Sequence, residues 1–200
     1  MVNSKSRAIT LLAALLIGAI VIVVSLSALG LFDPMPGGVQ IWQQELDPIQ
    51  VISQSSEVRW LHEELPQSPL SVRLTAGYDS GELDSAYGLV LGQGDENIAV
   101  MVSPLGYTAI RQQPSFTNSD ETDYYLPWQT WPHVHTADEA NELFVYLDGD
   151  TITVRLNREW LWEAGEIERV DRIGLIAESY GEDVLIDFHT AELTAVDSGK

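Results

Sequence analysis

Leu143-Phe144-Val145-Tyr146-Leu147-Asp148-Gly149-Asp150-Thr151-Ile152-Thr153-Val154-Arg155-Leu156 is the stretch whose reading decides the fold. Leu143, Val145 and Leu147 alternate with Phe144 and Tyr146; beyond Asp148-Gly149, Ile152, Val154 and Leu156 alternate with Thr151, Thr153 and Arg155. Successive side chains of a strand point to opposite faces, so each run offers one apolar face to a core. Asp-Gly between two such runs signals a tight hairpin, because glycine enters the positive-φ conformations that hairpin turns demand.

The same alternation recurs on both sides of this hairpin. Val72, Leu74 and Ala76 alternate with Arg73 and Thr75, and Ile98, Val100 and Val102 with Ala99 and Met101. Ile173, Leu175 and Ala177 continue the series, as do Val184, Ile186 and Phe188. Each is expected to be a strand with one face toward a core. Pro104-Leu105-Gly106 and Tyr180-Gly181-Glu182-Asp183 read as further turns. Many short strands joined by short turns predict an all-β, antiparallel β-sandwich. Helix-like stretches inside this region are limited to Ala137–Glu142 and a turn around Trp160–Ile167, and there is no internal repeat or low-complexity segment.

The N-terminus is of another kind. No charged side chain occurs from Ala8 to Phe32. As a helix this segment would reach about 37 Å, enough to cross a hydrocarbon core of about 30 Å. Lys5 and Arg7 are the only charges before it, so the positive-inside bias predicts a cytoplasmic N-terminus and an exported C-terminal part. Ser25-Leu26-Ser27 and Ser27-Ala28-Leu29 are poor cleavage sites and the apolar run is long for a signal peptide, so a retained anchor is expected. Asp33-Pro34-Met35-Pro36-Gly37-Gly38 cannot continue the helix. The expected organisation is a cytoplasmic N-terminus at 1–7, a transmembrane anchor at 8–32 and a linker at 33–39, then an extracytoplasmic β-sandwich at 40–195 and a tail at 196–200.

All 30 Asp and Glu residues lie beyond the apolar run. The formal net charge of the chain is −20, and the part after the run is two units more negative still, since Lys5 and Arg7 precede it. Such a surface repels phosphate backbones, which excludes nucleic acid as an expected partner, and is repelled by anionic headgroups. The count of Cys is 0, which removes lipoprotein anchors, disulfides, thiolate metal sites and thiol nucleophiles.

From Tyr87 onward the order of small signatures resembles a concanavalin A-like, or laminin G-like, jelly-roll domain. It is most similar to the bacterial exported domains named for 3-keto-disaccharide hydrolases. Tyr87-Gly88-Leu89-Val90 matches the strand opening that family's central hairpin, and Asn97 to Tyr107 the next strand and turn. Trp128, Asn141-Glu142-Leu143, the strands around Asp148-Gly149 and Asn157 follow in order, closing with Arg172-Ile173-Gly174-Leu175 and Ile186-Asp187-Phe188. One departure is Arg158, where such domains often carry Gly. The resemblance covers about Val72 to Leu193 and implies fold; activity does not follow from fold.

Candidate chemistry is sparse. Related jelly-roll glucanases carry Glu-x-Asp-x-Glu, which sets nucleophile and general acid on one face. Glu82-Leu83-Asp84-Ser85-Ala86 begins that pattern but ends in Ala86, and reads as a solvated loop. Tyr124-Tyr125-Leu126-Pro127-Trp128, with Trp131, offers flat rings that stack on sugars or anchor an interface. Against this, the resemblance packs Trp128 under the sheet. The candidate ligand-binding residues are Tyr125, Trp128 and Trp131 with the acids Asp120, Glu121 and Asp123. His133-Val134-His135 has a zinc or copper spacing without an identifiable third ligand. Asp120-Glu121-Thr122-Asp123 and Asp148-Gly149-Asp150 could each lend oxygens to a structural calcium, but neither has the full ligand run of an EF-hand. Trp160 and Trp162 read as packing residues. No catalytic residue, resident metal or cofactor is expected.

The sequence therefore predicts a single-pass cell-membrane protein displaying a jelly-roll recognition domain for a glycan or an envelope protein. A glycoside-cleaving enzyme of the resembled family and an accessory subunit of a membrane complex remain open as alternatives. Gly18 with Ala13, Ala14 and Ala19 would permit helix packing in such a complex.

Overall fold

The computed structural model describes residues 4–28, 35–67, 69–94, 96–113 and 123–196, which fall into two compact units, Met1–Pro36 and Gly37–Lys200. In the first, α1 runs over Ser4–Ala28; of its side chains those of residues 11–26 are described, and nearly all are exposed. Among the described residues no helix is long and apolar enough to cross a membrane.

The second unit is β throughout. Its strands are β1 (Gly38–Glu45), β2 (Ile49–Val51), β3 (Ser56–His62), β4 (Leu70–Gly81), β5 (Ser85–Gln93), β6 (Glu96–Ser103) and β7 (Tyr107–Gln113). After them come β8 (Asp123–Thr130), β9 (Asn141–Asp148), β10 (Thr151–Leu156), β11 (Glu159–Ala164), β12 (Arg172–Ser179) and β13 (Val184–Val196). They form two antiparallel sheets: a 7-stranded one in the order β1-β13-β4-β9-β10-β11, with β2 also on β13, and a 6-stranded one in the order β3-β12-β5-β6-β7-β8. The two sheets pack as a sandwich.

The period-two reading puts the right side chains inside. Val72, Leu74, Ala76, Ile98, Val100, Val102, Leu143, Val145, Leu147, Ile152, Val154, Leu156, Ile173, Leu175, Ala177, Val184, Ile186 and Phe188 all belong to one buried cluster between the sheets. Each large aliphatic side chain fully buried there contributes about 1.5–3 kcal/mol. The Asp148-Gly149 turn is a hairpin in which Asp148 pairs with Thr151 and Gly149 takes φ 62°. Likewise Ser103 pairs with Tyr107 around Pro104-Leu105-Gly106, with Gly106 at φ 88°.

Three expectations differ from the structure. Residues 137–140 form turns and Glu159–Ala164 is strand β11 rather than helix, because β10 supplies an antiparallel partner that local propensity could not reveal. Within β11, Leu161 and Trp162 reach the core while Trp160 is 53% exposed; the bulge between Val154 and Arg155 breaks the register that would have buried it. The 6-stranded sheet is also apolar on both faces. On its outer side Ala86, Val90, Ala99, Met101 and Ile176 are buried under Val58, Trp60 and Trp128 of the edge strands.

The resembled signature residues prove to be structural. Asn141, fully buried, receives the His135 N–H at 2.8 Å and the Asn157 amide at 2.7 Å, and donates to the Tyr87 hydroxyl at 2.9 Å and the His135 carbonyl at 2.9 Å. Asn157 in turn accepts the Glu142 N–H at 2.7 Å and donates to the His133 carbonyl at 2.6 Å. This network ties the loop after β8 to β5, β9 and the β10–β11 turn. Burial pushes the Tyr87 phenol up to about 12, against the opposing effect of the Asn141 amide. The turn itself is a two-residue loop with Asn157 at φ 51° and Arg158 at φ 75°. Two successive positive φ values define a type I′ hairpin, so Arg158 occupies a position that favours glycine.

Candidate functional site

The outer face of the 6-stranded sheet carries the site. Its floor is made of small residues on central strands: Ala86 and Gly88 on β5, Ala99 on β6 and Gly174 on β12. From opposite sides Arg111 on β7 and Glu178 on β12 form a buried ion pair over this floor. In strand order β5 and β6 lie between them. Three strand spacings amount to about 14 Å, so the two side chains lie extended over β5 and β6 to meet.

A groove of about 580 Å³ lies at one end of this face, lined among the described residues by Asp84, Ser103, Leu105, Tyr107, Trp128 and Tyr180. Strand ends place them: Asp84 precedes β5, Ser103 closes β6, Tyr107 opens β7 and Tyr180 follows β12. Backbone bonds hold the rim, with Tyr180 N–H on the Asp84 carbonyl at 3.0 Å and Gly106 N–H on the Ser103 carbonyl at 3.0 Å. The Tyr180 hydroxyl donates to Glu178 Oε2 at 2.8 Å. Burial first, and then the adjacent Glu178 charge, push the Tyr180 phenol well above its ordinary range, so it remains a donor at any physiological pH. The groove therefore offers exposed ring faces from Tyr107 and Tyr180, the half-buried indole of Trp128, the exposed carboxylate of Asp84 and the Ser103 hydroxyl.

The aromatic stretch singled out in the sequence is divided by the sheet. Trp128 packs on the outer cluster, whereas Tyr125 and Trp131 pack against the core between the sheets. Tyr125 donates to Gln112 Oε1 and its ring lies 5.2 Å from that of Trp162. The Trp131 ring lies 6.1 Å from His133. Asp123 is exposed at the start of β8, opposite Gln112; Asp120 and Glu121 lie outside the described residues. The histidines serve the loop: His133 accepts from Asn157, and His135 Nδ1 lies 2.8 Å from the Ala140 carbonyl. Among the described residues no group of three metal-ligating side chains occurs.

Sequence reading missed Asp84, Ser103, Leu105, Tyr107 and Tyr180 as a group, although the loop holding Asp84 and the turns holding Leu105 and Tyr180 were each legible. Nothing local says that these turns meet at one end. Strand parity would not have separated the aromatics: Leu126 has the parity of Trp128 yet packs with Tyr125 and Trp131 against the core, because β8 shifts register twice against β7.

The fold and this face define a galectin-like, concanavalin A-like jelly-roll β-sandwich. Among solved structures it is similar to the catalytic domain of an endo-1,3-β-glucanase (laminarinase) from Thermotoga petrophila, with 7% identity, 82% of this chain and 100% of that one covered, and a TM-score of 0.56. A Bacillus subtilis protein of unknown function with a galectin-like fold is similar at 11% identity over 80% of this chain and 100% of that one, with a TM-score of 0.54. At these identities the likeness establishes the fold alone. No family model and no curated protein matches the chain.

Proposed function

We propose that this is a single-pass membrane protein whose extracytoplasmic β-sandwich binds a glycan, without cleaving it, in the groove walled by Trp128, Tyr107 and Tyr180. The observation that carries the reading is that groove: rings that stack on sugar faces stand beside a hydroxyl and a carboxylate that bond sugar hydroxyls. The laminarinase of the same architecture acts on a glycan, which supports the choice of ligand class. Anchoring through residues 8–32 rests on the uncharged run and on Lys5 and Arg7.

Turnover is the second reading, of a glycoside-cleaving enzyme of the 3-keto-disaccharide hydrolase type, and Asp84 in the groove is what favours it. Hydrolysis through two carboxyl groups needs a partner for Asp84. Glu178 on this face is held by Arg111 and Tyr180, and Glu82 Oε1 accepts the Asp84 N–H at 3.0 Å, so both neighbouring carboxylates are engaged, which favours binding.

The full-length protein in mild detergent should retain an oligosaccharide on a glycan array. Trp128→Ala should weaken retention at least tenfold, and folded Trp131→Ala should keep it. Unchanged binding in folded Trp128→Ala refutes the groove, and release of shortened sugars establishes the enzyme reading. Protease added outside intact cells should digest the domain; its protection would refute the topology.

A further inference from the structure

Resting on that reading, we infer that the glycan this groove selects carries free, protonated amino groups: an amino sugar polymer rather than a neutral or acidic one. The charge inventory of the face gives the reason. Among the described residues no basic side chain lines the groove, and the one charged lining residue among them is Asp84. Asp84 is exposed, and its backbone carbonyl and N–H are engaged by Tyr180 and Glu82, which aligns the loop but leaves the carboxylate for a ligand.

The basic residues registered on this face are committed elsewhere. Arg111 is paired with Glu178. Arg172 donates to the Gly94 carbonyl at 2.7 Å and lies over the Trp60 ring at 4.6 Å, at the β3 side of the sheet. Among the described residues an acidic sugar would thus meet a carboxylate and no available cation, in a part of the chain whose formal charge is more negative than the chain's own −20.

A neutral sugar would stack on the rings and donate hydroxyls to Asp84 but bring no counter-charge to it. An ammonium-bearing sugar uses both features. Its ring stacks on Trp128, its ammonium pairs with Asp84, and the ring faces of Tyr107 and Tyr180 are electron-rich surfaces that attract a cation. The field of so acidic a domain also raises the local concentration of a polycationic chain.

The test titrates the full-length protein in nonionic detergent with three soluble hexasaccharides at pH 6 and 0.15 M salt: β-1,4-linked glucosamine, its N-acetylated form, and cellohexaose. Hexalysine is the charge-matched control. The glucosamine hexamer is expected to bind at least tenfold more tightly than either neutral hexamer and than hexalysine. Asp84→Asn should abolish that preference, while Asp150→Asn, which removes an acid from the distant β9–β10 turn, should leave it intact.

Equal binding of charged and neutral hexamers, lost in Trp128→Ala, would overturn the amino-sugar inference while keeping the groove as a glycan site. A preference that survives Asp84→Asn, or hexalysine binding as tightly as the glucosamine hexamer, would overturn it in favour of general attraction by an acidic surface. Failure of all three sugars to bind would overturn both readings.

Discussion

Asn141→Ala should be among the most damaging single substitutions outside the aliphatic core. The side chain has no exposure and takes part in four hydrogen bonds, to the Tyr87 hydroxyl, the His135 N–H and carbonyl and the Asn157 amide. A typical net worth of about 1 kcal/mol per bond, with penalties for the buried partners left unsatisfied, gives a loss of about 3–4 kcal/mol. With an m-value of about 2 kcal/mol per molar urea, the unfolding midpoint should fall by about 1.5–2 M. Urea titration of the full-length protein in nonionic detergent, followed by tryptophan fluorescence, measures it. Tyr87→Phe removes only the hydroxyl and should cost about 1 kcal/mol. If Asn141→Ala costs less than about 1 kcal/mol, or no more than Tyr87→Phe, the network is not a hub and this reasoning fails.

Two further outcomes follow from the same region. The Tyr87 phenol keeps its proton to about pH 12 when folded, against an ordinary value of 10.0, so between these pH values the folded state binds more protons than the unfolded one. Stability should therefore decline as pH rises from about 10 to 12, by about 2–3 kcal/mol, and Tyr87→Phe should flatten that decline in urea titrations across this range; an unchanged slope in the variant would contradict it. Arg158→Gly should relieve the positive φ at the β10–β11 turn and stabilise by about 1 kcal/mol, a rise of about 2–4 °C in Tm by differential scanning calorimetry; a lower Tm would show that the Arg158 side chain matters more than its backbone.

The sequence by itself determined the strands β4, β6, β9, β10, β12 and β13 and their core face. Ile98, Val100 and Val102, or Leu143, Val145 and Leu147, reveal their burial because a pleated chain turns every second side chain the same way, a rule that needs no knowledge of neighbours. The Asp148-Gly149 and Pro104-Leu105-Gly106 turns were equally legible, since positive φ is a property of the residue itself. Which strands pair was not. Strand order in the 6-stranded sheet runs β3-β12-β5, joining segments far apart in the chain, and it alone brings Arg111 to Glu178 and Asp84 to Tyr107, Trp128 and Tyr180. The separation of Trp128 from Tyr125 and Trp131 also waited on knowing that β8 is an edge strand of that sheet. Local rules set backbone geometry and which face of each strand is apolar, whereas a groove arises from side chains converging across strands, and that convergence depends on the pairing and bulges that only the assembled sheet possesses.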